Sequence, residues 1–585
     1  MFIKVTQSGN RRYAQLVESF RNLEGKPRQR TVCTLGRLQA GGEVDTLIAS
    51  LQRAQGTASV PSVRCSPSAL DGLRFTDSRH AGDIWALSEL WRSLGFDDLA
   101  LAWRRSKSEV NVLSCLRLMV MNRLCEPGSK LGVLRWLQTV ALPAGARGAP
   151  EHVPERALEH QHLLRAMDVI DAHSDKLGER LGLLMRPLID QDLSVVFYDL
   201  TTVAVTGQTD LEDDVRAYGM AKSGLVERQF MLSLVQTAEG LPIAHEVHPG
   251  NTAEAKTLLP MIRGLLARYP LKRVVLIADR GLLSTANIEE LGKLQAQLKK
   301  DGRDVAVQYI LAVPAARYGE FAADLEKLHA GQDNTQQWCG QTQWNKSRLV
   351  VAHDPVAAAR RTAARDKTIA ELLDLGQQCS VKLDAQDQSA RMGKKSKARG
   401  RPMSDSGTKA RFYHAVKDAH MAHVIQVDLK AELFSYAIDE DKKRYLELLD
   451  GKLLLVTNTD EAPADVVQRY KSLADIERGF RVLKSDIEIG PVYHRLPQRI
   501  RAHALICFMA LLLYRVMRMR LKAAKRSESP TALLDQLKRI HQQTAVTADG
   551  KTLCGLTQMT AQQKSLFAAL ELTPPTPADL VKPVL

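Results

Sequence analysis

The chain has 585 residues, with 81 Lys and Arg against 66 Asp and Glu and a formal charge of +15. Its 45% hydrophobic and 25% charged residues are ordinary globular values, which excludes a disordered, collagenous or disulfide-scaffold protein. The length predicts three or four domains with ample core, and the positive surplus is equally compatible with a nucleic-acid partner and with a merely basic surface.

No two of the eight cysteines form a Cys-x-x-Cys pair, and Cys507 lies in the apolar run ICFMALLL. Neither a zinc finger nor a disulfide framework is expected. The N-terminus MFIKVTQSGNRRY has no continuous apolar core of the kind a signal peptide needs. The longest apolar run, Ala504 to Tyr514, is shorter than the about 20 residues that span a bilayer. The expectation is a cytoplasmic protein with no membrane partner.

In chain order, residues 1–60 open with the alternating stretches FIKV, YAQLVESF and RQRTVCTLG, punctuated by Asn10 and Glu24-Gly25. They predict a small β-rich module bearing Lys4, Arg11, Arg12, Arg21, Lys26, Arg28 and Arg30. GTASVPSVRCSPS follows as a linker. Residues 75–190 predict helices, because apolar residues recur at three and four in DIWALSELWRSLGF, VNVLSCLRLMVMNRL and LLRAMDVIDAHSDKLGERLGLL.

From Leu193 the pattern changes. SVVFYDL predicts a buried strand, and RQFMLSLVQ and LPIAHEVH predict two more around the turn Ala238-Glu239-Gly240. A helix (252–269), a strand (273–278), a helix (284–299) and a strand (308–313) follow. Three strands and then alternating helix and strand is the order of a ribonuclease-H-like α/β fold, an order that other mixed sheets share. Residues 315–450 break the alternation and are too long for a loop, so they predict an inserted domain, with the basic run Gly393–Arg401 inside it. KLLLVTN resumes the sheet, and one helix is expected from about Ala464 to Ser485. The catalytic domain is thus expected at 191–314 and 451–525, and a helical tail at 526–585.

Three carboxylates stand out. Asp199 closes SVVFYD and Asp279 closes RVVLIAD, both at ends of predicted buried strands, where an unpaired carboxylate is costly. An Asp at one strand end is as readily a turn former or a cap, but two on presumed neighbours suggest a site. The third is Glu477 in YKSLADIERGFRVLKSDI. There Leu473, Ile476, Phe480 and Leu483 make an apolar face, while Tyr470, Glu477 and Lys484 fall seven apart on another stripe of one continuous helix. A solvated helix with intrahelical ion pairs is the plain alternative. Three carboxylates suit two hard divalent cations, which take oxygen ligands and support in-line phosphoryl transfer. Residues 470–526 hold thirteen Lys and Arg against four acids, a pattern that fits a phosphate track as well as a soluble helical face.

With these residues in place, the chain resembles bacterial insertion-sequence transposases of the DDE type, in the group whose third motif is Y-x2-R-x3-E-x6-K and whose last acid follows a β-rich insertion. The third motif stands as Tyr470, Leu473 where the group has Arg, Glu477 and Lys484; FYDLTT (197–202) resembles the first motif and IADRGLLSTANIEEL (277–291) the second. The Gly-Asn-Thr turn at 250–252, NRLCEPGSKLGVLRWL (122–137) and IRAHALICFMALLLYR (500–515) extend the likeness over nearly the whole chain. The resemblance implies a ribonuclease-H-like fold. It also implies Asp199, Asp279 and Glu477 as catalytic ligands of two Mg²⁺ or Mn²⁺ ions, with Tyr470 and Lys484 on the DNA phosphates and Arg478 or Arg481 in place of the missing Arg. It implies double-stranded DNA as partner (terminal inverted repeats and target), a homodimer in the DNA complex, residues 75–190 as a DNA-end-binding and assembly region, and a bacterial, nucleoid-associated site of action. In the inserted domain, Trp338 or Trp344 would stack on a base or simply belong to a core. A nuclease on the same fold without strand joining, and a non-catalytic DNA-binding relative, are the competing readings.

Overall fold

The structure, a computed structural model, describes residues 2–8, 11–21, 27–37, 73–104, 111–143, 158–189, 194–207, 214–221, 224–253, 256–269, 271–278, 285–303, 305–392, 403–472 and 474–581. The expected linker, the basic run at 393–401, Asp279 and Leu473 lie outside these residues, as do the side chains of Ala474 to Glu477. The chain divides into two compact units, Met1–Arg74 with Val546–Lys551, and Phe75–Ala545 with Thr552–Leu585.

The first unit contains the three strands that the alternation predicts, Phe2–Ser8, Arg11–Arg21 and Pro27–Arg37, as an antiparallel sheet in that order. The middle strand buries Ala14 and Val17.

The second unit is mixed α/β around a nine-stranded sheet. Its centre is the strand Ser194–Ala204, which pairs antiparallel with Val226–Thr237 on one side and parallel with Arg273–Ala278 on the other. Pro242–Pro249 lies antiparallel beyond Val226–Thr237, and Ala306–Ala312 lies parallel beyond Arg273–Ala278. Lys452–Thr457 then adds antiparallel to Ala306–Ala312, and the hairpin Trp338–Trp344 with Ser347–His353 extends the same edge. Continuous runs such as VVLIA form strands because both faces are covered.

The helices Gly82–Ser93, Val112–Cys125, His160–Ala172 and Ser174–Met185 fall in the stretches where the periodicity predicts helix, and Lys130–Leu137 lies in the stretch 122–137 that the resemblance singles out. The 27-residue helix Pro497–Ala523 packs against them and against Pro242–Pro249, in one continuous core. This helix is long and apolar enough to cross a membrane, but its most apolar window is 89% buried inside the protein, so it is a core helix. Bidentate pairs, Arg499 with Asp168 and Arg501 with Asp171, bolt its start to the helix His160–Ala172.

Three expectations are corrected. The described part of 315–450 is not β-rich: beyond the hairpin, which belongs to the main sheet, it is mainly helical, with Pro355–Arg391, Asp405–Asp418 and Glu440–Leu449. The Ala, Arg, Leu and Gln content of 355–391 is that of a strong helix former. The tail at 526–585 is not purely helical: the strands His541–Val546 and Thr552–Leu556 stand between the helices Pro530–Leu537 and Ala561–Ala569. The single helix expected at 464–485 is two, Pro463–Lys471 and Ala474–Ser485.

Candidate active site

Asp199 sits between two buried residues, Tyr198 and Leu200, on the central strand. Its carboxylate is half-buried, and Oδ1 accepts a hydrogen bond from the Leu200 amide at 2.7 Å. The strand is held firmly here: the Tyr198 hydroxyl donates to Thr257 Oγ1 at the start of the helix Leu258–Arg268. On the neighbouring parallel strand, Ala278 is the register partner of Tyr198. Each is the residue immediately before one of the two aspartates, so the chain reaches both Asp positions from the same level of the sheet.

The helix Ala474–Ser485, which carries Glu477, packs on the Asp199 strand and on the helix Pro497–Ala523. It buries Phe480 and Leu483 and turns Arg478, Arg481 and Lys484 outward. Gly479 makes this approach possible. A Cβ there would lie 2.3 Å from Nε2 of the fully buried Gln236, on the strand next to that of Asp199, and 3.2 Å from Nη2 of Arg515. Neither Gly479 nor Gln236 stood out in the sequence; a lone Gly inside a helical pattern was the available signal.

The first motif and the Gly-Asn-Thr turn meet. A cavity of about 390 Å³ is lined by Leu200, Thr201 and Thr202 from the first and by Gly250, Asn251 and Thr252 from the second. Gly250 is required by crowding, since a Cβ would lie 2.1 Å from the Gln229 carbonyl oxygen. Gln229 Nε2 donates to the Gly250 carbonyl at 3.0 Å, which fixes the turn against the strand.

Matches to two family models accompany this geometry. A model described as "Transposase DDE domain" matches residues 190–513, and one described as "IS1634 family transposase, N-terminal domain" matches residues 3–62. The chain belongs to the DDE transposases. No curated protein matches it.

The larger match spans all three acidic positions of the transposase, and the smaller covers its N-terminal three-stranded sheet. The remaining residues singled out in the sequence distribute unevenly. Tyr470 lies in the last turn of the helix Pro463–Lys471, half-buried against the core, so the stripe expected to carry Tyr470, Glu477 and Lys484 is divided between two helices. Trp338 and Trp344 belong to the core reading. Trp338 is buried, its Nε1 donates to Asn334 Oδ1 at 3.0 Å, and Trp344 packs 5.6 Å from Phe321.

The basic track also thins. Arg499, Arg501 and Arg526 are taken by Asp168, Asp171 and Glu528, and Arg520 donates to the Leu570 carbonyl. Lys471, Arg478, Arg481, Lys484, Arg495, Arg518, Lys522 and Lys525 remain exposed.

Proposed function

We propose that the transposase cleaves and joins DNA strands at the ends of an insertion sequence, with Asp199, Asp279 and Glu477 as the catalytic carboxylates. The observation that carries this is the register of Tyr198 with Ala278 on adjacent parallel strands, each one residue before an aspartate. The strand order supports a ribonuclease-H-like catalytic domain. Three antiparallel strands (Ser194–Ala204, Val226–Thr237 and Pro242–Pro249) are followed by two that run parallel to the first and lie on its other side.

The donor set fits divalent metal. Three carboxylates without imidazole or thiolate are the ligands of a hard cation, and among the described residues no group of His, Cys, Asp and Glu competes as a metal site. Asp199, Asp279 and Glu477 would hold two Mg²⁺ or Mn²⁺ ions, which when bound lower the pKa of an attacking water or 3′-hydroxyl and stabilise the leaving oxygen. The chain's own contribution is positional. The Leu200 amide orients the Asp199 carboxylate, the Gly479 contact sets the depth of the Glu477 helix, and the outward Arg478, Arg481 and Lys484, with Tyr470 before them, would meet the phosphates. The reading includes a homodimer on double-stranded DNA, acting in the bacterial cytoplasm.

The test is a cleavage and strand-transfer assay on duplexes carrying the element's terminal repeats with Mg²⁺. Wild type should give joined products, and Asp199→Ala, Asp279→Ala and Glu477→Ala should each abolish them. Cutting retained by any of the three removes that residue from the set, and cutting without joining makes the enzyme a nuclease.

A further inference from the structure

Beyond the carboxylates, the second unit contains a cavity of about 480 Å³ with an unusual charge balance. Four parts of the chain build it: the end of the helix Val112–Cys125 with the start of Lys130–Leu137, the start of His160–Ala172, the loop 488–495 after the Glu477 helix, and the first turns of Pro497–Ala523. Arg123, Lys130, His494, Arg495 and Arg499 line it; the acid in the lining is Glu488, which is exposed.

Lys130 is the decisive residue. It is 4% exposed, yet its ammonium has no hydrogen bond or ion pair among the described residues. A buried cation is costly unless something compensates it. Its nearest charged neighbours make matters worse. Arg123 is fixed beside it, with guanidinium nitrogens donating to the carbonyls of Glu488 (3.1 Å) and Gly128. Burial, followed by the charge of Arg123, pushes the Lys130 ammonium down to about 7. His494 is pushed down to about 3 by burial and then by Lys130, Arg499 and Arg123. Arg499 already has its own acid in Asp168.

The backbone adds to the same field. Ser129 caps the helix Lys130–Leu137 by accepting from the Gly132 amide at 3.0 Å. The earlier amides of that first turn have no intrahelical acceptor, and the helix start attracts an anion. The loop on the other wall is stitched to the end of the Asp199 strand. Val492 N donates to Ala204 O at 3.0 Å, and Thr206 N donates to Val492 O at 2.9 Å. Val205 follows Asp199 by six steps of extended chain, which corresponds to roughly 20 Å. Just before the loop 488–495 in sequence come Arg481 and Lys484, both exposed, and Arg495 within it is exposed too.

We propose that this cavity seats one phosphate of the bound DNA backbone, with Lys130 as its central cation and Arg123 and the first-turn amides around it, roughly 20 Å from the site of cutting. The proposal rests on the transposase reading and adds to it a fixed contact supplied by the helical first half together with the loop after the Glu477 helix.

The test uses the full chain, a fluorescent duplex carrying the element's terminal repeat, and Lys130→Met. Removing an uncompensated buried cation should leave the melting temperature equal or higher, while duplex affinity falls about tenfold and the salt slope of log K drops by about one. Equal affinity and slope in the two proteins overturn the proposal, and if wild type still binds and cuts the duplex, the transposase reading survives. If K130M is instead destabilised, Lys130→Arg decides. Recovered affinity supports the phosphate seat, and affinity still lost makes Lys130 a structural residue and overturns it. Inorganic phosphate forms the second arm. A phosphate-induced rise in melting temperature that K130M loses, with duplex affinity equal in both proteins, assigns the seat to a free phosphate and overturns the DNA contact.

Discussion

Tyr198 and Ala278 are register partners on neighbouring parallel strands, and each is followed in sequence by an aspartate. On the proposed reading both aspartates would bind the same cations, and two carboxylates that share a site repel one another until a cation joins them. Metal should therefore stabilise the protein as well as activate it. Mg²⁺ or Mn²⁺ is expected to raise the melting temperature of wild type by mass action on the folded state. Asp199→Asn should remove that rise, and with it about 10³-fold or more of the cleavage rate, about 4 kcal/mol in barrier. An unchanged metal-induced shift in the variant would take Asp199 out of the ligand set, whatever happened to activity.

Gly479 offers a test that leaves all three acids in place. Ala at 479 would put a methyl 2.3 Å from Nε2 of the fully buried Gln236 and 3.2 Å from Nη2 of Arg515, so these side chains or the helix must shift. Overpacking of this kind costs about 1–3 kcal/mol and moves backbone. Gly479→Ala should therefore lower both stability and cleavage by lifting the Glu477 helix from the sheet. Adding Gln236→Ala makes space and should restore part of both, which a double-mutant cycle measures as a coupling. Additive losses would mean the contact does not set the helix position.

Much of this was legible locally. SVVFYD and RVVLIA are near-continuous runs of β-branched and apolar residues, and such runs have few alternatives to a strand covered on both faces. Their terminal aspartates were visible for the same reason, as charges interrupting apolar stretches. What was lost needed longer range. The stripe of Tyr470, Glu477 and Lys484 presumed one helix, but the chain ends a helix at Ser472, whose amide and hydroxyl both bond to Gln468 O, with no Gly or Pro to announce it. The helix Pro355–Arg391 exposes Ala, Gln and charged residues around much of its surface, so its period was faint although its propensity was strong. The strands of the tail flank Ala548-Asp549-Gly550, a turn signal that the local pattern did contain. The acids that occupy Arg499 and Arg501 lie in another helix, beyond any local pattern.

That last point separates two kinds of arginine within one basic stretch. Arg481 is exposed on the Glu477 helix, whereas Arg501 makes a bidentate pair with Asp171, both bonds 2.9 Å. Arg481→Ala should weaken duplex binding and lower the salt slope by about one with the melting temperature unchanged. Arg501→Ala should lower the melting temperature, because it strands a partly buried carboxylate, and should leave the salt slope alone. The reverse assignment of the two phenotypes would put the DNA track along the long core helix instead.

A pH effect follows from Lys452, at the edge of the main sheet. Its buried ammonium donates to Nδ1 of His329 at 3.0 Å and of His353 at 2.9 Å, and it lies 5.2 Å from the centre of the Trp338 ring. His353 Nε2 bonds to the Asn334 carbonyl at 3.1 Å, so that nitrogen carries the hydrogen and Nδ1 keeps the lone pair that Lys452 needs. Burial first, and then the charge of Lys452, hold both imidazoles below the usual histidine value of 6.5. A histidine with a depressed folded pKa contributes stability that is present above the unfolded value and is lost as pH falls through it. The folded state should therefore weaken from about pH 6.5 downward, as each proton added places a second cation against Lys452. Lys452→Met removes that repulsion. Acid unfolding followed by far-ultraviolet circular dichroism should then start at a lower pH in the variant than in wild type. Coincident acid limbs would show that the two histidines titrate as exposed ones do and that Lys452 does not govern them.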